Sequence, residues 1–333
     1  MDQNRAIRRF CAAMLLWTMV FRLCTAGIPE RLLGWLSQPD TVRFLIYLET
    51  GRIVRFSSSE EAVPAFFRES APPVVPETKP VFSPEEGQAV EFSYLCAFRP
   101  DGAALLTKPL EWNLREGGPA VLILHTHTTE SYTPAGETYA ESSAYRTLEE
   151  EHNMLSIGQR VAEVLEEGGI GVIQDRTVHD YPSYGGSYNH ARKTVLEILE
   201  ENPSIRLVLD LHRDAAGSAG KQLRTEAEIN GRTAAQLMLV MGTDASGLKH
   251  DAWEDNLSLA LKLQVLLQRQ NPGLMRPICL RAQRFNQDVS PGALLVEVGA
   301  AGNTRGEALL AAEQLASAIL ALAEGTGKET TAP

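Results

Sequence analysis

Three apolar runs in this chain carry ionisable side chains at or near their ends, and they constrain the fold more than any other feature. The first, Val121-Leu122-Ile123-Leu124, leads into His125-Thr126-His127-Thr128-Thr129-Glu130. The second is Leu207-Val208-Leu209-Asp210-Leu211-His212-Arg213-Asp214, and the third is Leu294-Leu295-Val296-Glu297-Val298-Gly299. Short apolar runs bounded by polar and turn residues are the pattern of strands buried on both faces, as in parallel sheets. Ligands in open α/β sheets gather at strand ends. Two imidazoles and a carboxylate converging there suggest a zinc hydrolase.

The stretches between these runs alternate helix and strand. Met154, Ile157, Val161, Val164 and Leu165 recur at helical spacing and stop at Gly168-Gly169, predicting a helix over 153–168. A short strand at 170–173, a helix near 189–201, a strand at 205–211 and another at 235–243 follow. A helix over 254–270, a late strand at 293–298 and a closing helix over 305–324 complete the pattern. This alternation predicts an α/β fold: a mostly parallel sheet with helices on both faces. Residues 88–114 are expected to add a strand or two, and 44–54 a hairpin turning at Gly51. Five prolines between 72 and 84 give linker composition. The expected organisation is an N-terminal signal or anchor (1–28), a variable region and Pro-rich linker (29–87), a catalytic domain (88–324) and a frayed tail (325–333).

Arg5, Arg8 and Arg9 precede an apolar run over 10–21, broken only by Thr18, and Arg22 interrupts before 23–28. The run alone is shorter than the ~20 residues that cross a bilayer. With Arg22 snorkelling, the combined segment just spans. A cleaved signal and a retained membrane anchor both stay open, and the positive flank puts the bulk of the chain outside the cytoplasm. A net charge of −11 and the absence of any basic stripe argue against nucleic-acid binding. The cysteines Cys11, Cys24, Cys96 and Cys279 show no metal or disulfide spacing.

A hydrolytic zinc site needs three His or carboxylate ligands and an open position. His127 and His212 are the first two candidates. His125 competes with His127, because residues two apart share a face for as long as a strand continues. Glu130 lies three residues beyond His127. Glu149, Glu150 and Glu151 precede the 153–168 helix, where acidic residues also simply complement the helix dipole. Glu297, set among Leu and Val, is costly to bury unless its pKa rises, which suits a general base; a solvent-facing strand end is its plainer role. The aromatic, Gly-rich loop 177–188 either lines a substrate groove or is structural.

These motifs resemble the stage II sporulation protein P family. The likeness is carried by His125-Thr126-His127-Thr128-Thr129-Glu130-Ser131-Tyr132, by Asn153 with Ser156-Ile157-Gly158, and by Gly169-Ile170-Gly171-Val172-Ile173. Val178-His179-Asp180-Tyr181-Pro182-Ser183-Tyr184, Gly186-Ser187-Tyr188-Asn189 and Asp210-Leu211-His212-Arg213-Asp214-Ala215 continue it, over roughly 119–324. The resemblance implies a membrane-anchored peptidoglycan hydrolase of sporulation engulfment, with a zinc-amidase/carboxypeptidase-like fold and stage II sporulation proteins D and M as partners. It implies cleavage of the amide between N-acetylmuramic acid and L-alanine, with endopeptidase activity on cross-links also attributed to the family. Carried onto this sequence, it implies zinc held by His127, Glu149 and His212, with Glu150 close behind Glu149. Glu297 takes the catalytic place, and Arg213 positions a substrate carboxylate. The Gly-His-Gly-Gly loop of zinc amidases is absent here; His-Thr-His stands in its place and leaves the first ligand open. Two rival readings are a carboxypeptidase-like peptidase using His127, Glu130 and His212, and a non-catalytic wall-binding module.

Overall fold

A computed structural model describes residues 78–134, 145–218 and 221–326, all within the unit Ser70–Pro333. The proposed hairpin at 44–54 and the N-terminal apolar segment lie outside the described residues. No helix among the described residues is long and apolar enough to cross a membrane.

The elements run in chain order as α1 (Pro84–Ala89), β1 (Phe92–Leu95), α2 (Gly102–Thr107), β2 (Pro119–Leu124), α3 (Met154–Glu167), β3 (Gly171–Gln174), α4 (Ser187–Glu201) and β4 (Leu207–Asp214). Two small hairpins follow, β5 (Gly217–Ser218) with β6 (Lys221–Gln222) and β7 (Ala227–Ile229) with β8 (Arg232–Ala234). Then come β9 (Leu237–Gly242), α5 (Trp253–Gln270), β10 (Ile278–Arg281), β11 (Ala293–Ala300) and α6 (Arg305–Ala321). Among the described residues, seven strands form one sheet in the order β1-β10-β9-β11-β4-β2-β3. Every neighbouring pair is parallel except β11 with β9. The mostly parallel α/β sheet predicted from the alternating pattern is thus present, with one reversal at its centre.

Period-2 alternation sorts the strands' side chains between two unequal cores. Val121, Ile123, Leu207, Leu209, Leu211, Val296 and Val298 face the larger core, beneath α3, α5 and α6. Leu122, Leu124, Val208 and Ala293 face α4 through Ala191 and Val195. Helices do cover both faces, but the second face is covered sparsely, and the strand register places Asp210, His212 and Glu297 on it. Asn153 caps α3 by accepting from the Leu155 N–H at 2.9 Å, and Thr304 with Glu307 forms a capping box on α6.

Both ends of the domain extend past the boundaries expected from composition. Phe82 is buried in the main core, and Ser83 caps α1 in a capping box, so packing begins inside the Pro-rich stretch rather than at 88. At the other end, the Leu110 N–H donates to Thr326 Oγ1 at 3.0 Å, so 325 and 326 are tied down rather than frayed.

Chain order identifies the crevice. From β2 the chain crosses to β3 at the sheet edge, then returns past β2 to β4. The carboxyl ends of β2 and β4 therefore flank a topological switch point, where ligands bind in open α/β sheets.

Candidate active site at the ends of three strands

The loop leaving β2 is held by two threonine–aspartate clamps. The Thr126 N–H and hydroxyl donate to the two carboxylate oxygens of Asp210 at 2.9 and 2.6 Å. The Thr129 N–H and hydroxyl do the same to Asp180 at 3.1 and 2.7 Å. Between them the Thr128 hydroxyl donates to the His125 carbonyl at 2.8 Å. Hydrogen bonds to a charged acceptor contribute about 1.5–3 kcal/mol each, so the loop's shape is well determined. Neither aspartate stood out in the sequence, although three threonines crowded around two histidines were a signal for such clamping.

The two histidines of this loop part company. His125 still follows the strand's alternation and turns under α3. There its Nδ1 lies 3.3 Å from the Leu211 carbonyl and its Nε2 lies 3.2 Å from Gln174 Nε2. Gly158 makes room for it, since a Cβ at 158 would meet His125 Nε2 at 2.4 Å. Gly158→Ala is expected to destabilise the domain by about 1–3 kcal/mol through overpacking, despite alanine's better helix propensity. The check is the urea midpoint; a rise would mean that the ring does not fill this space.

Since β2 ends at Leu124, His127 escapes the alternation and enters the crevice. Its ring packs edge-on against His212, with centroids 5.2 Å apart, and edge-on against Tyr188 at 5.5 Å. It stacks on Tyr184 with centroids 4.4 Å apart and planes 16° apart. Nδ1 lies 3.3 Å from Ser187 Oγ, and Nε2 lies 3.0 Å from the Tyr184 hydroxyl. Burial pulls the His127 imidazole down to about 4, Glu130 opposing and His212 and Arg146 assisting. A neutral imidazole is the form that ligates metals.

His212 sits between carboxylates. Its Nδ1 is 3.6 Å from Glu130 Oε2, and its Nε2 is 2.9 Å from Asp210 Oδ1 but in no hydrogen bond. Burial disfavours its charged form, but Asp210 and Glu130 outweigh it and hold the imidazole protonated well above its ordinary range. Burial likewise pushes against ionised Glu130, but Arg213, His212 and His127 together hold that carboxyl at about 2.

Glu297 is the register partner of His212 across β4 and β11. The residue keeps some exposure, but its Oε2 is enclosed without a hydrogen-bond partner. Burial raises its carboxyl to about 8; His212 works against this, and Glu130 and Asp214 add to it.

Two assignments implied by the family resemblance meet a different geometry. Glu149 is exposed and precedes a 3-10 turn, Glu150–His152. Glu150 pairs with Arg176 in solvent. The reason is a chain reversal: Glu130 bridges Arg146 and Ser131 bridges Asn153, so the segment between 146 and 153 bows outward. The carboxylate brought to the imidazoles is Glu130. Arg213, in turn, is buried and faces inward. Its Nε donates to the Ser131 carbonyl at 3.0 Å, its Nη2 donates to the Tyr145 carbonyl at 2.9 Å, and its Nη1 lies 3.5 Å from Glu130 Oε1. It holds Glu130 in place rather than reaching for substrate. Arg146, which pairs with both Glu130 and Asp180 from a less buried position, was not singled out in the sequence.

Among the described residues, no group of three His, Cys, Asp or Glu side chains forms a ready metal cage. The donor chemistry nevertheless fits a divalent ion. The His127 ring lies 5.2 Å from that of His212, and His212 Nδ1 lies 3.6 Å from Glu130 Oε2. Two imidazoles and a carboxylate are donor types that zinc takes, and His212 would release its proton on ligating.

Comparison with known proteins agrees with the motifs. The family model described as Stage II sporulation protein P (SpoIIP) matches residues 69–320. Stage II sporulation protein P of Bacillus subtilis (strain 168) is 30% identical over 209 residues, covering 59% of this chain and 49% of that protein. The chain thus spans about half the length of that curated relative. Two solved structures are similar at lower levels. The CwlD amidase from Clostridioides difficile in complex with the GerS lipoprotein has a TM-score of 0.35 and 17% identity, over 60% of this chain and 94% of that one. An N-acetylmuramoyl-L-alanine amidase from Clostridium difficile 630 has a TM-score of 0.34 and 17% identity, over 61% and 94%. The 69–320 match takes in all seven strands of the sheet and the whole crevice between His127 and Glu297, and on that extent the chain belongs to the stage II sporulation protein P family.

Proposed function

We propose that this protein is a zinc-dependent peptidoglycan hydrolase of sporulation, cleaving the amide between N-acetylmuramic acid and L-alanine. The observation that carries this reading is the placing of His127, His212 and Glu130 as neighbours at the strand ends, with Glu297, its Oε2 lacking a hydrogen-bond partner, in register with His212. His127, His212 and Glu130 would hold the ion. This is also the set of the carboxypeptidase-like reading, so the choice of the amide bond rests on the family match, and the products of the test below separate the two. When bound, zinc would supply Lewis-acid polarisation of the scissile carbonyl and lower the pKa of the attacking water.

The chain's own residues supply the rest. Glu297, enclosed and unpaired at Oε2, has the proton affinity of a group that takes a proton from water and returns it to a leaving amine. Asp210 and Asp180 hold the β2 loop rigid, and Arg213 fixes Glu130. Such support from outside the ligand set orients ligands and tunes a metal.

The N-terminal apolar segment would anchor the domain outside the cytoplasm, facing the wall. Stage II sporulation proteins D and M would be its partners in the engulfment machinery.

The test is muropeptide analysis after incubating purified sacculi with the full chain, with and without a chelator. Free stem peptides that vanish with chelator and return with zinc are expected. Split cross-links without free stems would replace the amidase by an endopeptidase. No products at all would leave only wall binding.

A further inference from the structure

The loop 181–186 is exposed throughout, yet it runs between two buried anchors, Asp180 and Ser187. Asp180 is fixed by Thr129 and Arg146, and Ser187 begins α4 beside His127. Tyr184, 55% exposed at the loop's middle, lays its ring on the imidazole of His127. The Arg146 guanidinium lies 4.6 Å from the same ring's centroid. His127 itself is only 7% exposed.

We infer that Tyr184 is a hinged cover: its ring shields His127 in the free protein and swings away when a ligand enters the crevice. Ring and hydroxyl cover together: the planes lie 16° apart with centroids 4.4 Å apart, and the hydroxyl lies 3.0 Å from Nε2. Stacking and cation–π contacts are weak individually, strong enough to seat a short loop and weak enough to yield to a ligand. Gly185 and Gly186 supply the hinge, and Gly186 has φ +96, a conformation that costs glycine little. A tethered loop of exposed residues is the kind of segment that opens locally at low cost.

The inference rests on the reading of His127 as a working residue, but its test needs neither metal nor activity. Chelator-treated full chain is exposed to diethylpyrocarbonate, and carbethoxylation of each histidine is followed by peptide mass spectrometry. In Tyr184→Ala, His127 is expected to react about tenfold faster than in wild type, reporting loss of a cover that is mostly closed. Tyr184→Phe should react clearly more slowly than Tyr184→Ala, because the stacked ring remains although the hydroxyl contact to Nε2 is lost. His152, outside the crevice, should react equally in all three proteins. Equal His127 rates in Tyr184→Ala and wild type overturn the inference. So does a Tyr184→Phe rate matching Tyr184→Ala, or a rise shared by His152, which would mean general loosening. Zinc uptake by the same proteins, followed with a chromophoric chelator, tests the metal reading separately: no uptake in any of them defeats that reading while the shielding result stands.

Discussion

Glu297→Gln is expected to abolish release of stem peptides, by at least about 10²-fold for a lost general base, and at the same time to stabilise the metal-free protein. The second effect follows from the raised carboxyl. The folded protein holds this proton up to about pH 8, whereas the unfolded chain releases it near 4.5. The stability supplied by that bound proton is fully present below pH 4.5 and is lost as pH rises through about 8. A neutral Gln avoids that loss. Urea unfolding of chelator-treated proteins should show no gap at pH 4.5 and a gap of up to about 3 kcal/mol in favour of Gln near pH 7. A gap that does not change with pH would mean that Glu297 is not isolated from solvent, and would remove the physical basis for the catalytic role proposed for it. Losing activity while gaining stability is the signature of a group retained at a functional site at the expense of the fold.

Glu130→Gln should do the opposite to stability. Glu130 is the carboxylate against which buried Arg213 and His212 are packed, and Arg146 adds a third cation. Removing one partner of a buried ion pair leaves uncompensated charge and costs about 3–5 kcal/mol. Zinc content after dialysis should fall together with thermal stability. Glu130→Asp, which keeps the charge but shortens the reach, should recover much of the stability and little of the zinc. Glu149→Gln should leave the zinc content unchanged, because that side chain is exposed at the turn before α3. Zinc lost with Glu149→Gln and kept with Glu130→Gln would restore the ligand set implied by the family resemblance and refute the one proposed from geometry.

The difference between these two glutamates marks where sequence reading runs out. The strands bearing His212 and Glu297 were legible because apolar runs and period-2 alternation are local properties of the backbone. Helix α3 was legible from its apolar spacing and its Gly stop. The choice between His125 and His127 was not, because it turned on where β2 ends and on Gly158 and Gln174, which lie on other elements. The reversed pairing of β9 with β11 also escaped, since a buried run carries no mark of direction.

The sequence by itself determined that this chain builds an α/β sheet with ionisable residues at the ends of buried strands. Hydrophobic periodicity alone requires that much. Only the tertiary structure decided which imidazole, which glutamate and which arginine meet in the crevice. Those choices depend on contacts such as Thr126 with Asp210 and Glu130 with Arg213, made between residues more than eighty positions apart. No local pattern encodes such contacts, because they follow from how whole elements pack.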